Sequence, residues 1–285
     1  MKVVYTLWAK PHLENNDNFR FEHLSNFFNS LILSVNSMKE HYDDIHLYAD
    51  SEALEIIKDI LPQLPFKKIH NVLDHLNDLP TMLWAFPKLY VYGLQDKPFF
   101  HIDNDAFLWT PIYESVIKDY DIICQHFEDF KTHRQYYSGI KYFKKFQKYN
   151  IVPNEMFNNS QTQCPNAGIF GAMNDRGLML FKELAENAQR VMDILLDKKN
   201  KDLLKILEDD WVIKKRNKFY LTQYINMFNE QCLANIHIEK HNLKTYSIGL
   251  KDGIHKFSHL VGLSKLDHAL NEKIKNRVLE KRWKV

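Results

Sequence analysis

Val3-Val4-Tyr5-Thr6-Leu7-Trp8 is a short apolar and aromatic run that Lys10-Pro11 closes. A run of this length, cut by a proline, predicts a strand buried inside a sheet. Outward from it, residues 20–41 carry Phe21, Leu24, Phe27, Phe28, Leu31, Ile32, Val35 and Met38 at helical spacing. They predict a first helix. Asp44-Ile45-His46-Leu47-Tyr48-Ala49-Asp50 reads as a second strand ending in a carboxylate. Ser51 then offers an N-cap for a helix over Glu52–Leu61, which Pro62 and Pro65 end. Strand, helix, strand, helix is the opening of an α/β sheet.

The pattern continues. Residues 81–95 read as helix, and Pro98-Phe99-Phe100-His101-Ile102 is a short strand that runs straight into Asp103-Asn104-Asp105. Asp121-Ile122-Ile123-Cys124 and Asn166-Ala167-Gly168-Ile169-Phe170-Gly171-Ala172 read as further strands, the second with small residues that permit close backbone approach. Helical patterns cover 176–208 and 218–229, and His237-Ile238-Glu239 reads as a last strand. Residues 126–160 have no clean period. Their aromatics, interleaved with Lys141, Lys144, Lys145 and Lys148, suit a lid or acceptor platform, or an amphipathic helix with a solvated lysine face. Leu266, Leu270, Ile274 and Val278 recur among Lys273, Lys275, Arg277, Lys281 and Arg282. The reading is one domain over 1–265 and a basic amphipathic helix over 266–285.

Composition narrows the function. Lys and Arg number 38 against 36 Asp and Glu, so the chain lacks the strong basic excess of a dedicated nucleic-acid binder. Its eight glycines contain neither G-x-G-x-x-G nor G-x-x-x-x-G-K-[ST]. A bound nucleotide must therefore have its phosphates held another way, and a metal is the natural substitute. Cys124, Cys164 and Cys232 lie far apart and form neither a disulfide framework nor a zinc ribbon, which suits a reducing compartment. The first residues lack a signal peptide's apolar length, and no run approaches roughly 18 apolar residues. The expected location is cytoplasmic, with the basic C-terminal helix suited to the inner face of a membrane, to the body of the protein or to a second copy of the chain.

Two groups of residues carry chemistry. Asp103 and Asp105, one residue apart at a strand end, can turn toward a single point beyond the sheet. Oxygen ligands of that kind suit Mg²⁺ or Mn²⁺, although the pair alone also occurs in solvated turns. The second group, His259-Leu260-Val261-Gly262-Leu263-Ser264-Lys265, lies 154 residues after Asp105. It joins an imidazole ligand, a glycine that lets backbone approach a phosphate, and a lysine charge.

Together, Phe100-His101-Ile102-Asp103-Asn104-Asp105-Ala106-Phe107-Leu108-Trp109, the preceding Pro87-Lys88-Leu89-Tyr90 and the late His259-x-x-Gly262-x-x-Lys265 resemble the GT-A glycosyltransferases. Among these the chain is similar to the glycogenin and bacterial galactosyltransferase-like family, family 8. The resemblance implies a GT-A (nucleotide-diphospho-sugar transferase) fold, a central mixed, mostly parallel sheet flanked by helices. It implies a metal on Asp103, Asp105 and His259, a diphosphate on Gly262 and Lys265, and Lys88 reaching the donor. Thr6, Leu7 and Trp8 would lie against the base and ribose, and Asn104 would join the donor site. Asn166, Ala167 and Gly168 would line the sugar pocket, and Gln223 would sit on the face of the anomeric carbon.

The chain also departs from that family. Lys265-Leu266-Asp267 stands where the family reads Lys-Pro-Trp, and Thr222 stands where an acidic residue is expected. Asp209 or Asp210 could replace the missing carboxylate in space. The implied activity is metal-dependent transfer of a sugar, UDP-linked by expectation, to a glycan, lipid-linked or protein acceptor. Retention, with Gln223 and Lys88 acting at the reacting centre, is favoured; inversion would call on Asp209, Asp210 or Glu155 as base. The rival reading is a GT-A-like protein that binds a nucleotide sugar or glycan without turnover.

Overall fold

The computed structural model describes residues 1–14, 19–132, 143–158, 161–209, 211–212, 219–249, 257–260 and 262–283. Its strands are β1 (Lys2–Leu7), β2 (Asp44–Ala49), β3 (Lys68–Asn71), β4 (Phe99–Ile102), β5 (Ala106–Leu108), β6 (Ile122–Cys124), β7 (Phe127–Asp129), β8 (Gln163–Pro165), β9 (Ile169–Ala172), β10 (Trp211–Val212), β11 (Phe219–Tyr220), β12 (Thr245–Ser247) and β13 (Phe257–His259). Seven form one sheet in the order β12-β6-β9-β4-β1-β2-β3. All are parallel except β9, which runs antiparallel to β4 and β6. The expected mixed, mostly parallel sheet flanked by helices is what the chain forms.

Alternation along β1 explains the layering. Val3, Tyr5 and Leu7 point into one core, and Val4 and Trp8 into the other, because successive strand side chains face opposite ways. The first core is covered by α1 (Leu24–Lys39) and α2 (Ser51–Ile57). The second is covered by α3 (Phe86–Gly93) and the long α4 (Asp175–Leu196), with α5 (Leu221–Met227) running through a π-helical turn at Phe228–Cys232 into α6 (Leu233–Lys240). A sheet buried on both faces needs strands apolar along their length, which is what β1, β4, β6 and β9 supply.

Three local expectations are corrected. The N-cap of α2 is Asp50, not Ser51: its carboxylate accepts from the N–H of Ala53 at 3.2 Å and also from that of Ala9 at 3.1 Å. The same side chain thus caps a helix and ties the end of β1 to the end of β2, while Ser51 bonds to Asp74 instead. The helix itself stops at Ile57, short of the expected Leu61. His237-Ile238-Glu239 lies in α6 and not in a strand. The period-two look of Ile236 and Ile238 comes from two positions that both bury on a helix already continuing from α5.

The last helix, α7 (His268–Leu279), packs on α1 with Asn271 and Ile274 buried, and Arg277 lies 5.0 Å from the ring centre of Trp109. Asp267, one of the departures from the resembled family, is its N-cap and accepts from the N–H of Leu270 at 2.9 Å. No helix among the described residues is long and apolar enough to cross a membrane. Within 126–160, β7 pairs with β8, and Phe143 and Phe146 are buried beside Tyr224 and Phe228. The expected lid residues between 133 and 142 lie outside the described residues.

Candidate metal centre

The parallel strands all end at one edge of the sheet, and the site is built there. β4 ends at Ile102 and delivers Asp103-Asn104-Asp105, β1 ends beside it at Thr6-Leu7, and β6 ends at Cys124 and delivers Gln125. Since β9 is antiparallel, its beginning arrives at the same edge and brings Asn166-Ala167-Gly168. β1 lies between β4 and β2, so chain order reverses here, where open α/β sheets bind ligands.

Pairing of β13 with β5 carries the distant histidine to this edge. His259 lies opposite Ala106, and the N–H of Leu260 donates to the carbonyl of Asp105 at 3.0 Å. The turn before β5 is closed by the N–H of Ala106 on the carbonyl of Asp103, and the N–H of Asp103 donates to the carbonyl of Gly168. Asn104 donates from its amide to the carbonyl of Thr6 at 3.0 Å. These bonds leave both carboxylates and the imidazole facing one point, their ligand atoms all within 4.8 Å of one another.

Chemistry of the donor set fits a divalent cation. Nε2 of His259 is 3.3 Å from Asp105 and 3.9 Å from Asp103. Its Nδ1 lies 2.8 Å from Oε1 of Gln125, so Nδ1–H donates to the amide and Nε2 is the atom turned to the carboxylates. Gly168 makes that possible. A Cβ there would lie 2.3 Å from the Gln125 amide oxygen and 2.5 Å from the His259 ring. Asp105 is the inner carboxylate, 8% exposed, and Asp103 the outer one at 32%.

Two lysines neutralise the carboxylates from opposite sides. Lys265, in the short 3₁₀ helix Gly262–Leu266, pairs with Oδ2 of Asp105. Burial alone would raise the Asp105 pKa, but Lys265 and His259 hold it well below the usual carboxylate range. His259 in turn is pulled down by burial and, more strongly on balance, raised by Asp105. Lys88, on α3, is buried and gives its ammonium to Asp103 at 2.8 Å, the carbonyl of Ala167 at 2.8 Å and Glu230 at 2.9 Å. Burial opposes that charge, yet Asp103 and Glu230 hold the Lys88 pKa well above the usual lysine value. His101, beneath this group, donates to or accepts from Thr6 Oγ1 at 3.0 Å; burial and then Lys88 push its pKa well down, so it is neutral.

The structure therefore brings Asp103, Asp105, His259, Lys265 and Lys88 into one cluster, with Asn104, Ala167 and Gly168 as its backbone frame. Thr6 meets it through His101 and Asn104. Leu7 and Trp8 turn into the two cores, with Trp8 Nε1 on Asn77, and Asn166 is spent on Glu128 and on the N–H of Gly168. Gln223 and Thr222 lie on the backbone of α5, but their side chains, and Asp210 entirely, lie outside the described residues. Sequence reasoning missed Gln125 and Glu230. Gln125 follows a strand that ends at the binding edge, which is a usable signal; Glu230 sits mid-helix and carries none.

A family model described as "Family of unknown function (DUF6734)" matches residues 1–282. Among curated proteins none matches the sequence. The chain is similar to the crystal structure of mouse xyloside xylosyltransferase 1 in its apo form, with a TM-score of 0.42 and 10% identity, over 86% of this chain and 84% of that one.

Proposed function

Because the chain belongs to DUF6734, a family of unknown function, membership names no reaction, and we propose one from the site. The protein is a metal-dependent glycosyltransferase that moves a sugar from a nucleotide-sugar donor, UDP-linked in our reading, to a glycan, lipid-linked or protein acceptor. The observation that carries this is the convergence of Asp103, Asp105 and His259 at the carboxyl edge of the sheet, with Lys265 seated on Asp105. The motif resemblance to GT-A enzymes agrees with it.

Breaking a glycosidic bond to a diphosphate leaves negative charge on the departing phosphate. A divalent cation, Mn²⁺ or Mg²⁺, held by Asp103, Asp105 and His259 would supply Lewis-acid stabilisation of that charge. Lys265 provides a second positive charge beside the inner carboxylate, and Gly262 leaves room for backbone near a phosphate. Lys88 holds the Asp103 carboxylate in place at 2.8 Å, so it acts as a positioning residue for the outer ligand. Gln125 sets which nitrogen of His259 faces the carboxylates. For the sugar itself, Gln223 remains our candidate beneath the anomeric carbon, with retention of configuration, and Asp210 the alternative carboxylate.

A panel of nucleotide sugars scanned by thermal shift, with and without Mn²⁺, tests this directly. One donor should stabilise the protein only when the metal is present, and the pair should slowly release nucleoside diphosphate. Failure of every donor to shift the melting point, or an unchanged shift in Asp103→Asn, would sink the reading.

A second reading has one observation in its favour. Lys88 pairs with Asp103 and Glu230, and Lys265 and His259 meet Asp105, so the carboxylates of the cluster already have basic partners within the protein. A non-catalytic nucleotide-sugar binder would fit such a cluster. Donor binding without any release of nucleoside diphosphate would identify it.

A further inference from the structure

A second group of ligand-type side chains lies well away from the D-x-D edge. Glu183 is on α4; His237 is on α6, and His241 is the C-cap of that helix. The two histidines are one helical turn apart, so they project from one face, and their rings stack at 5.9 Å between centroids with 7° between planes. Glu183 faces them from the neighbouring helix. Its Oε2 lies 2.6 Å from Nδ1 of His237 and 3.0 Å from Nε2 of His241, and its Oε1 lies 3.1 Å from the latter. The three ligand atoms fall within 4.8 Å of one another, each on a partly exposed residue.

One contact in this group is not accounted for by ordinary hydrogen bonding. Nδ1 of His237 is buried and makes no hydrogen bond, although a carboxylate oxygen stands 2.6 Å away. A buried polar atom without a partner is costly, and an ion shared by both atoms removes that cost. Meanwhile Arg176 holds the carbonyl of His241 at 3.0 Å and the carboxylate of Asp121 at 3.1 Å, which fixes the end of α6 against the start of β6. His241 is thereby anchored by its backbone while its ring nitrogen Nε2 meets both oxygens of Glu183.

We propose that Glu183, His237 and His241 form a second cation site, selective for a borderline transition ion such as Zn²⁺. Two imidazoles and one carboxylate are the donor set such ions prefer, whereas the D-x-D centre, with its two carboxylates, suits harder Mn²⁺ or Mg²⁺. Three protein ligands leave the ion's shell open, and the partial exposure of all three residues gives water access to complete it. Bound there, the ion links α4 to α6 and clamps the helical layer that carries Lys88's partner Glu230 at its other end. This assignment is independent of the reaction proposed above.

The test uses untagged protein stripped with a chelator and titrated with Zn²⁺ by calorimetry and with Co²⁺ by its visible spectrum. The Asp103→Asn/Asp105→Asn double variant silences the first centre; it should still take up one Zn²⁺ per chain and show Co²⁺ bands of a nitrogen-ligated ion. His241→Gln in that background should lose the bands and weaken Zn²⁺ by more than ~100-fold, since losing a direct ligand exceeds the 10–100-fold cost of an outer partner. Glu183→Gln should act likewise, with unchanged far-ultraviolet circular dichroism. If the double variant does not fold, the wild-type chain should bind two ions and His241→Gln one. Zn²⁺ uptake indifferent to both His241→Gln and Glu183→Gln, or no stoichiometric uptake at all, would overturn the assignment.

Discussion

Nδ1 of His259 and Oε1 of Gln125 lie 2.8 Å apart across 134 residues of chain. Gln125 is buried, and its amide nitrogen in turn lies 3.3 Å from Nδ1 of His126, which fixes which way the amide points. With that orientation, the imidazole offers Nε2 to Asp103 and Asp105. Gln125→Leu keeps the volume and removes the acceptor. Mn²⁺ affinity should fall by about 10–100-fold, the usual cost of losing an outer partner of a ligating histidine. Stability should drop by about 1–3 kcal/mol, because Nδ1–H is left buried without an acceptor. Titration of free Mn²⁺ by electron paramagnetic resonance reads the first, and denaturant unfolding the second.

Lys88 stands between Asp103 and Glu230, with only 9% of its side chain and 3% of the Glu230 side chain exposed. Lys88→Met would therefore strand a buried carboxylate, at a cost of about 3–5 kcal/mol. The paired change Lys88→Met/Glu230→Leu removes both buried charges and should recover most of that loss. A double-mutant cycle from denaturant midpoints gives the answer. If the double variant is no more stable than Lys88→Met alone, Glu230 is not the partner that matters.

How much of this was legible beforehand divides along physical lines. β1, β2, β4, β6 and β9 were readable because both-face burial makes each a dense apolar run with clear breaks. β3 was not: Lys68-Ile69-His70-Asn71 is an edge strand, largely exposed, and its identity comes from pairing with β2. β5, β12 and β13 are three residues each and exist only through partners more than a hundred residues away. Asp103, Asp105, His259 and Lys265 were found because two spaced motifs point at one chemistry. Gln125 and Glu230 belong to no motif, and only the edge they reach, or the lysine they meet, reveals them.

Gly168 is the residue that lets Gln125 and His259 meet. A methyl group there would fall 2.3 Å from the amide oxygen and 2.5 Å from the imidazole, closer than atoms approach. Gln125 is buried, His259 is largely covered, and each holds the other, so neither can swing away without giving up their bond. Gly168→Ala should therefore cost about 1–3 kcal/mol through overpacking and, separately, weaken Mn²⁺ binding by displacing His259. Comparing Gly168→Ala with Gln125→Leu sharpens the point. If the two act through the same bond, the metal affinity of the double variant should match that of the weaker single variant.

His46 and His70 set an acid limit on stability at the far side of the sheet. Nε2 of His70 is 3.1 Å from Nδ1 of His46, and Nε2 of His46 is 3.2 Å from Asp44. In the neutral pair His70 donates to His46, which donates to Asp44, and a proton added to His46 Nδ1 ends the first of these bonds. Burial, and then the charge of Lys2, push both imidazoles below the ordinary histidine value, against the opposing pull of Asp44 on His46. The folded state thus binds fewer protons than the unfolded one between those lowered values and about 6.5. The stabilisation is complete above about pH 6.5 and is lost as the pH falls through the lowered folded values. His46→Gln, which cannot titrate, should flatten the fall in melting temperature over that interval and leave the value at pH 8 nearly unchanged. A melting curve series with equal acid slopes in both proteins would place the titrating groups elsewhere.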